Sequence, residues 1–342
     1  MKLILDAMGG DNAPLEIVKG AAIAAKEYPD TEIVLVGRET EIRDAAEKEK
    51  ISFEHMSIMN ADEVITMEDS PRSVVSTKKN SSMAVGLRAL AAGEGDVFVS
   101  TGNTGALMTG ATMYIKCVNG VKRGAIATML PMERPLLLID AGSNVTVTAD
   151  MMCKFAVLGS VYMERVFGVE KPRVGLLNNG AEEHKGTPLT VEVYGMLKKL
   201  DGINFVGNIE GNQIPFNNCD VLVADGFTGN IVLKTMEGFS KFLLGKLKAM
   251  YKQNAVTLLS AAMVKGKFSK LKKEFDASEY GGAPFLGIAK PVFKAHGGSD
   301  AAAVKNAIAR AREYILEGTH PLIEERIKNS LFSLGQTEDE AK

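Results

Sequence analysis

The sequence predicts a layered α/β fold built on a mostly parallel sheet. Two observations carry this. Short apolar runs recur along the 342 residues and end in Gly, Asn, Ser, Thr or Asp: LILDAMGGDN, IVLVGRE, DVFVSTGNTG, LLLIDAGSN, VGLLNNGAEEHKG and DVLVADGFTGN. Unbroken apolar runs suit parallel strands covered by helices on both faces. Stretches with helical spacing follow several of them, PLEIVKGAAIAAKEY after the first and MCKFAVLGSVYMERVFG after LLLIDAGSN. That alternation is the pattern of βα units. In such folds ligands sit outside the carboxyl ends of the strands, where the polar, glycine-rich turns of this chain fall.

Composition narrows the function. Apolar residues make up 46 % and charged residues 24 %, ordinary for a soluble globular protein. The length allows two ordinary domains or one large one. No repeat, linker or composition break divides it, so residues 1–335 read as a single α/β domain, with 238–275 a basic amphipathic helical protrusion and 336–342 a frayed tail. A net charge of −2 gives no pull toward nucleic acid, and the absence of Trp argues against base-stacking surfaces. Cys117, Cys153 and Cys219 lie far apart without C-x-x-C pairing, which points to a reducing compartment and no disulfide framework. The first apolar run is too short for a signal peptide, and no stretch approaches the roughly 20 apolar residues of a membrane span. A cytoplasmic location is expected.

Each turn has a bland and a functional reading. In LILDAMGGDN, Asp6 ends a strand and Gly9, Gly10 and Asp11 follow; Asp11 or Asn12 suits the cap of a helix that Pro14 begins. In STGNTGALM, small residues Ser100, Thr101, Gly102, Asn103 and Thr104 let backbone amides approach a ligand as a helix begins. This is a good anion site, or a plain capped turn; it matches neither Walker A nor G-x-G-x-x-G. In DAGSN, Asp140 and Asn144 suit turn capping first. NNGAEEHKGTP gathers Asn178, Asn179, two glutamates, His184 and Lys185. A lysine there can bind phosphate or polarise a carbonyl, and a histidine can carry a proton near neutral pH; the alternative is a solvated loop. ADGFTGN, with Thr228, Gly229 and Asn230, echoes STGNTG. The two turns share an anionic group, or merely the same capping chemistry. Tyr280 in YGGAPFLG and His296 in HGGSD stand alone. A helical tail is expected over Ser299–Ile327.

No metal is expected, since the four histidines lack ligand spacing and Asp6, Asp11, Asp140 and Asp225 would have to be gathered by the fold. No G-x-S-x-G elbow is present. Between Glu237 and Glu274 no acid occurs while lysines recur. Lys246, Lys248, Lys252, Leu258, Leu259, Val264, Lys265 and Lys267 are the expected contact residues of this segment. It suits an anionic membrane surface, an acidic protein partner, or a helical hairpin packed on a second subunit.

DAMGGDNAP, STGNTGAL, DAGSN, NNGxExxKG, ADGFTGN and YGGAPxLG occur in the order found in the acyl-ACP:phosphate acyltransferase (PlsX) family of bacterial phospholipid synthesis, and the chain resembles that family from about residue 2 to about residue 325. The resemblance implies a three-layer α/β/α sandwich, Rossmann-like, similar to phosphotransacetylases and isopropylmalate dehydrogenases, and a homodimer at the membrane periphery. It implies that long-chain acyl-acyl carrier protein and inorganic phosphate give acyl phosphate and free carrier protein. A glycerol-3-phosphate acyltransferase would use the product, without any cofactor of this enzyme. Lys185 and Asn230 match the family's catalytic lysine and asparagine, with His184 as a proton carrier. Asp6, Gly9, Gly10, Asp11, Ser100, Thr101, Gly102, Asn103, Thr104, Asn144, Asn179, Thr228 and Gly229 are then the expected phosphate and substrate set. The strand ends should converge on one cleft, with Gly9 and Gly10 passing close to substrate. A carboxylate beside phosphate is repulsive, so Asp6 and Asp11 should position loops or Lys185. Two other readings compete: a nucleotide-dependent dehydrogenase, which the missing fingerprint disfavours, and a non-catalytic membrane scaffold.

Overall fold

The computed structural model describes residues 1–132, 134–254 and 280–333, with 257, 260, 263, 264 and 266–268 between the last two ranges. Strands β1 (Lys2–Asp6), β2 (Glu32–Gly37), β3 (Met56–Asn60), β4 (Val97–Ser100), β5 (Ala125–Leu130), β6 (Leu136–Ile139), β7 (Arg173–Asn178), β8 (Asn204–Glu210), β9 (Val221–Val223), β10 (Ala283–Leu286) and β11 (Val292–Lys294) build the sheet. The helices are α1 (Leu15–Glu27), α2 (Glu39–Lys48), α3 (Ser82–Ala92), α4 (Thr104–Gly110), α5 (Ala149–Val166), α6 (Pro188–Leu197), α7 (Gly226–Tyr251), α8 (Ala301–Leu316) and α9 (Thr319–Ser333). The expected helical tail comprises two helices, parted at Gly318, whose φ of +61° favours glycine.

Among the described residues one sheet runs β3-β2-β1-β4-β11-β10-β5-β6-β9-β7-β8. The pairings from β3 through to β11 are parallel, as are those among β6, β9, β7 and β8. Three consecutive pairings at the centre, β11–β10, β10–β5 and β5–β6, are antiparallel. Three reversals leave β6, β7, β8 and β9 pointing opposite to β1, β2, β3, β4 and β11. The mostly parallel sheet expected from the apolar runs is present, but the carboxyl ends of its two halves lie on opposite edges.

Successive strand residues face opposite sides, and both sides are buried. Leu3, Leu5, Val97, Val99, Leu137, Ile139, Val221 and Val223 share a core with α1, α5, α8 and α9. Ile4, Phe98, Leu138, Leu222 and Phe285 share the other with α3, α4 and Leu233 of α7. That gives three layers, α/β/α. Each fully buried side chain of this size contributes roughly 1.5–3 kcal/mol. α5 is buried along nearly its whole length, with Cys153 a core position.

The expected side-chain cap of α1 is absent. Asn12 donates instead to the carbonyls of Gly298 and Ser299, both at 3.2 Å, which ties the first loop to the one after β11. α7 starts inside the body, with Gly226, Gly229 and Leu233 buried, and then leaves it: Phe239, Lys241, Phe242, Leu243, Lys246, Lys248 and Met250 are all exposed. Tyr251 meets Phe268 edge-on, the ring centroids 6.4 Å apart.

Gly229 offers a test of this packing. A Cβ there would overlap the carbonyl oxygen of Asp140, whereas Gly238, also in α7, has open space around it. We expect Gly229→Ala to lose about 2 kcal/mol or more by chemical denaturation. Gly238→Ala should gain up to about 1 kcal/mol from helix propensity. Equal midpoints for the two variants would contradict the packing described.

Candidate active site

The first constellation lies at the carboxyl ends of β1, β4 and β11. Asp6 is buried and accepts from the Ser100 hydroxyl at 2.7 Å and from the Met8 amide at 3.2 Å. Burial pushes its carboxyl above the usual range, although hydrogen bonds from Ser82 and Ser100 oppose that. Thr101 Oγ1 donates to the Gly9 carbonyl at 2.6 Å, and the Gly102 amide donates to Ser100 Oγ at 3.0 Å. Asn103 caps α4 by accepting from the Ala106 amide, and its Nδ2 holds the Thr66, Met67 and Asp69 carbonyls. The turn is therefore capped by Asn103. Only Thr104 of that set is exposed.

Gly9 and Gly10 need their missing side chains for a different reason from the one expected. A Cβ on Gly9 would lie 2.7 Å from the Gly102 amide; one on Gly10, whose φ is +87°, would lie 2.7 Å from the Gly297 carbonyl. The close approach is between loops. Asp11 is exposed and its amide donates to the Gly297 carbonyl at 2.8 Å.

The second constellation lies on the opposite edge, where β6, β9 and β7 are neighbours. Asp140, fully buried, accepts from the amides of Gly142, Ser143 and Asn144 and from Asn144 Nδ2 at 2.7–3.0 Å. Asn144 Nδ2 also donates to the Gly124 carbonyl. These two residues build the turn, as the capping reading had it. Asp225 caps α7, accepting from the Thr228 amide and hydroxyl at 2.9 and 2.7 Å. Asn230 is exposed one turn into α7, its Nδ2 3.2 Å from the Ala141 carbonyl.

After β7 the loop is pinned on several sides. Asn178 Nδ2 donates to the Lys185 carbonyl, Asn208 Nδ2 to the Glu182 carbonyl, and Glu183 pairs with Lys198 at 2.7 Å. Asn179, His184 and Lys185 project their side chains to solvent from this anchored backbone. The loop is held while its chemistry-bearing groups stay free.

The strand ends thus form two groups, not one. What links them is α7. Lys234, one turn beyond Asn230 on the same helix face, stands close enough to Lys294 at the end of β11 to oppose its charge. Lys294 was missed by the sequence reading. It is 8 % exposed, its Nζ donates to the carbonyls of Thr101 at 3.0 Å and of Ala295, and burial lowers its pKa to about 8 against the pull of Asp6 and Asp11. The acids at the first strand end therefore face Lys294. The signal lay in PVFKAHGGSD, a lysine closing an apolar run just before a glycine-rich loop.

Of the expected contact residues in the basic segment, Lys246, Lys248 and Lys252 are exposed on and just beyond α7, Lys246 sitting over the Phe242 ring at 5.5 Å. Lys267 is also exposed and Val264 half-buried; Leu258, Leu259 and Lys265 lie outside the described residues. Among the described residues no helix is long and apolar enough to cross a membrane, and no three His, Cys, Asp or Glu gather as metal ligands.

The topology defines an α/β/α sandwich of the phosphotransacetylase kind. A phosphotransacetylase from Streptococcus pyogenes superposes with a TM-score of 0.62 at 19 % identity, covering 92 % of this chain and 94 % of that one. The family model described as "Fatty acid synthesis protein" matches residues 1–320, and the chain belongs to that family. Relatives named phosphate acyltransferase include one from Thermoanaerobacter pseudethanolicus, 44 % identical over 96 % of this chain and 98 % of its own length. Another, from Brevibacillus brevis, is 40 % identical over 99 % of this chain and all of its own. The protein is accordingly an acyltransferase, and the dehydrogenase and scaffold readings give way.

The pKa of Lys294 has a measurable consequence. An unfolded lysine holds its proton up to about 10.5, whereas Lys294 releases it from about 8. Between those values the unfolded chain binds more protons, so stability rises with pH there, by up to about 3 kcal/mol. In urea titrations at pH 7.5 to 10, the stability of wild type minus that of Lys294→Met should rise by that amount. Burial also pushes the thiols of Cys153 and Cys219 up to about 12 and raises Tyr162 and Tyr314; these oppose the rise, but they are common to both proteins and cancel in the difference. Parallel curves would contradict the assignment.

Proposed function

We propose that the protein transfers the acyl group of a long-chain acyl-acyl carrier protein to inorganic phosphate, giving acyl phosphate and free carrier protein. A glycerol-3-phosphate acyltransferase would consume the product on the way to phosphatidic acid. The observation that carries the proposal is the pairing of full-length likeness to proteins named phosphate acyltransferase with a free lysine on an anchored loop at the strand edge of Asn230.

Phosphate is itself the nucleophile, so the chemistry asks for no protein nucleophile and no cofactor. Lys185 holds phosphate by its point charge and offsets the negative charge that develops. A phosphate oxygen attacks the thioester carbonyl carbon, the carbonyl becomes an oxyanion, and the C–S bond then breaks. Asn230, exposed at the start of α7, gives one Nδ2 hydrogen to the Ala141 carbonyl and uses the other to orient phosphate or to donate to that oxyanion. His184, beside Lys185 and exposed, carries the proton that the departing thiolate takes up. Asp6, Ser100, Thr101, Asn103, Asn144 and Thr228 serve by shaping turns, since their polar atoms are committed within the protein. Thr104 and Asn179, with exposed side chains, are the ones placed to touch substrate directly.

The same reading gives the enzyme a cytoplasmic, membrane-peripheral place and a dimeric form. Along the outer half of α7, Phe239, Leu243 and Met250 project on one side while Lys241, Lys248 and Lys252 project on another. This division suits an anionic lipid surface or an acidic carrier. Exposed Val145, Phe227 and Ile231, near the start of α7, form an apolar surface that a second copy of the chain would cover.

Incubation with acyl-acyl carrier protein and phosphate should yield acyl phosphate and free carrier thiol. Lys185→Ala and Asn230→Ala should each lower kcat about 10²–10³-fold with the fold intact; near wild-type turnover by Lys185→Ala would sink the assignment.

Separately, the protein should float with vesicles containing anionic lipid and be released by salt. The triple change of Lys246, Lys248 and Lys252 to Glu should abolish flotation. If flotation persists while carrier binding is lost, the lysines serve the carrier and not the membrane.

A further inference from the structure

Lys294 is a lysine at the end of a central strand with almost no access to water. Taking an ammonium group out of water is costly unless specific partners receive it. Its partners are the carbonyls of Thr101 and Ala295. The bond to Thr101 falls on the turn before α4. The peptide unit joining Thr101 to Gly102 is gripped at both ends: Lys294 Nζ holds its C=O at 3.0 Å, and Ser100 Oγ holds its N–H at 3.0 Å. Ser100 in turn donates to Asp6, and the Thr101 hydroxyl donates to Gly9. Three strands, β1, β4 and β11, therefore fix the plane of one peptide, and Lys294 is the cation in that net.

We propose that Lys294 is a positioning residue of the acyltransferase: it fixes the Thr101–Gly102 peptide and so sets how the 100–104 turn receives phosphate. The proposal rests on the reading of that turn as part of the phosphate site. The groups facing Lys294 are Asp6 on β1 and Asp11 in the following loop, which favour its ammonium form, and Lys234 on α7, which opposes it. Because Lys234 shares a helix face with Asn230, the net stands next to the helix that carries the second candidate catalytic group.

Steady-state kinetics of wild type, Lys294→Met, Lys294→Arg and Ser100→Ala, with phosphate and acyl carrier varied in turn, test this. Lys294→Met should raise KM for phosphate at least tenfold and leave KM for the acyl carrier within twofold. Lys294→Arg should recover most of the loss, because a guanidinium can still donate to the Thr101 carbonyl. Ser100→Ala frees the other end of the same peptide and should raise KM for phosphate in the same direction. In wild type KM for phosphate should climb as pH passes 8, and this limb should be missing in Lys294→Met. A folded Lys294→Met with wild-type KM for phosphate across pH overturns the proposal. If that variant does not fold, unchanged KM in folded Ser100→Ala does so. Absence of acyl phosphate from wild type overturns the reaction itself along with it, which separates the two failures.

Discussion

The constraint on which the rest depends is the reversal at the middle of the sheet. Three antiparallel pairings in succession turn one half of the strands against the other. Ligand sites in parallel sheets gather at carboxyl ends, so the reversal splits the polar turns between two edges. Most strands at the reversal are short, β5 with six residues being the longest of them. β11 and β10 have three and four residues, about 10–13 Å of extended chain. α7 leaves the second edge, buries Leu233 in the core over the sheet and brings Lys234 within range of Lys294. One helix thus belongs to both halves of the candidate site.

Polar side chains in these turns divide into those that build and those that are free. Asp140 gathers three amides and one side-chain amide; Asn103 caps a helix and holds a loop; Asp225 and Ser100 are fully engaged. Where both partners are buried, as for Asp140 with Asn144 or Ser100 with Asp6, a lost bond leaves one unsatisfied, at about 1–3 kcal/mol apiece. Lys185, His184 and Asn179 instead stand on a backbone that other residues pin. An anchored loop bearing exposed polar and charged groups is well suited to meeting an anion, because little backbone order has to be created on binding.

Much of this was legible in the sequence because it is local. Unbroken apolar runs such as LLLI and VFVS marked strands buried on both faces, and the spacing in α1 and α5 marked amphipathic and core helices. The phosphate-type turns were legible as motifs, yet their roles were not. Whether Asn103 faces substrate or caps its own helix depends on Thr66, Met67 and Asp69, some thirty-five residues away. The reversal was hidden because a four-residue strand reads the same in either direction. Lys294 was hidden because lysines in a sequence read as surface; its burial follows from where β11 is inserted, between β4 and β10, after nearly two hundred intervening residues.

The same long-range insertion explains why the two acids of the opening motif do not need substrate to account for them. Asp6 is driven toward its neutral form by burial and held by hydroxyl and amide donors. A buried cation that feels this acid comes from β11, which is threaded into the sheet beside β4. Once Lys294 is in place, Asp6 and Asp11 favour its charge, its charge holds the Thr101 carbonyl, and the turn before α4 has one geometry. Phosphate arriving at that turn would meet amides and a lysine-bearing helix, with the carboxylate of Asp6 already engaged. The acidic residues and the anion can share a neighbourhood because the buried ammonium stands between their roles.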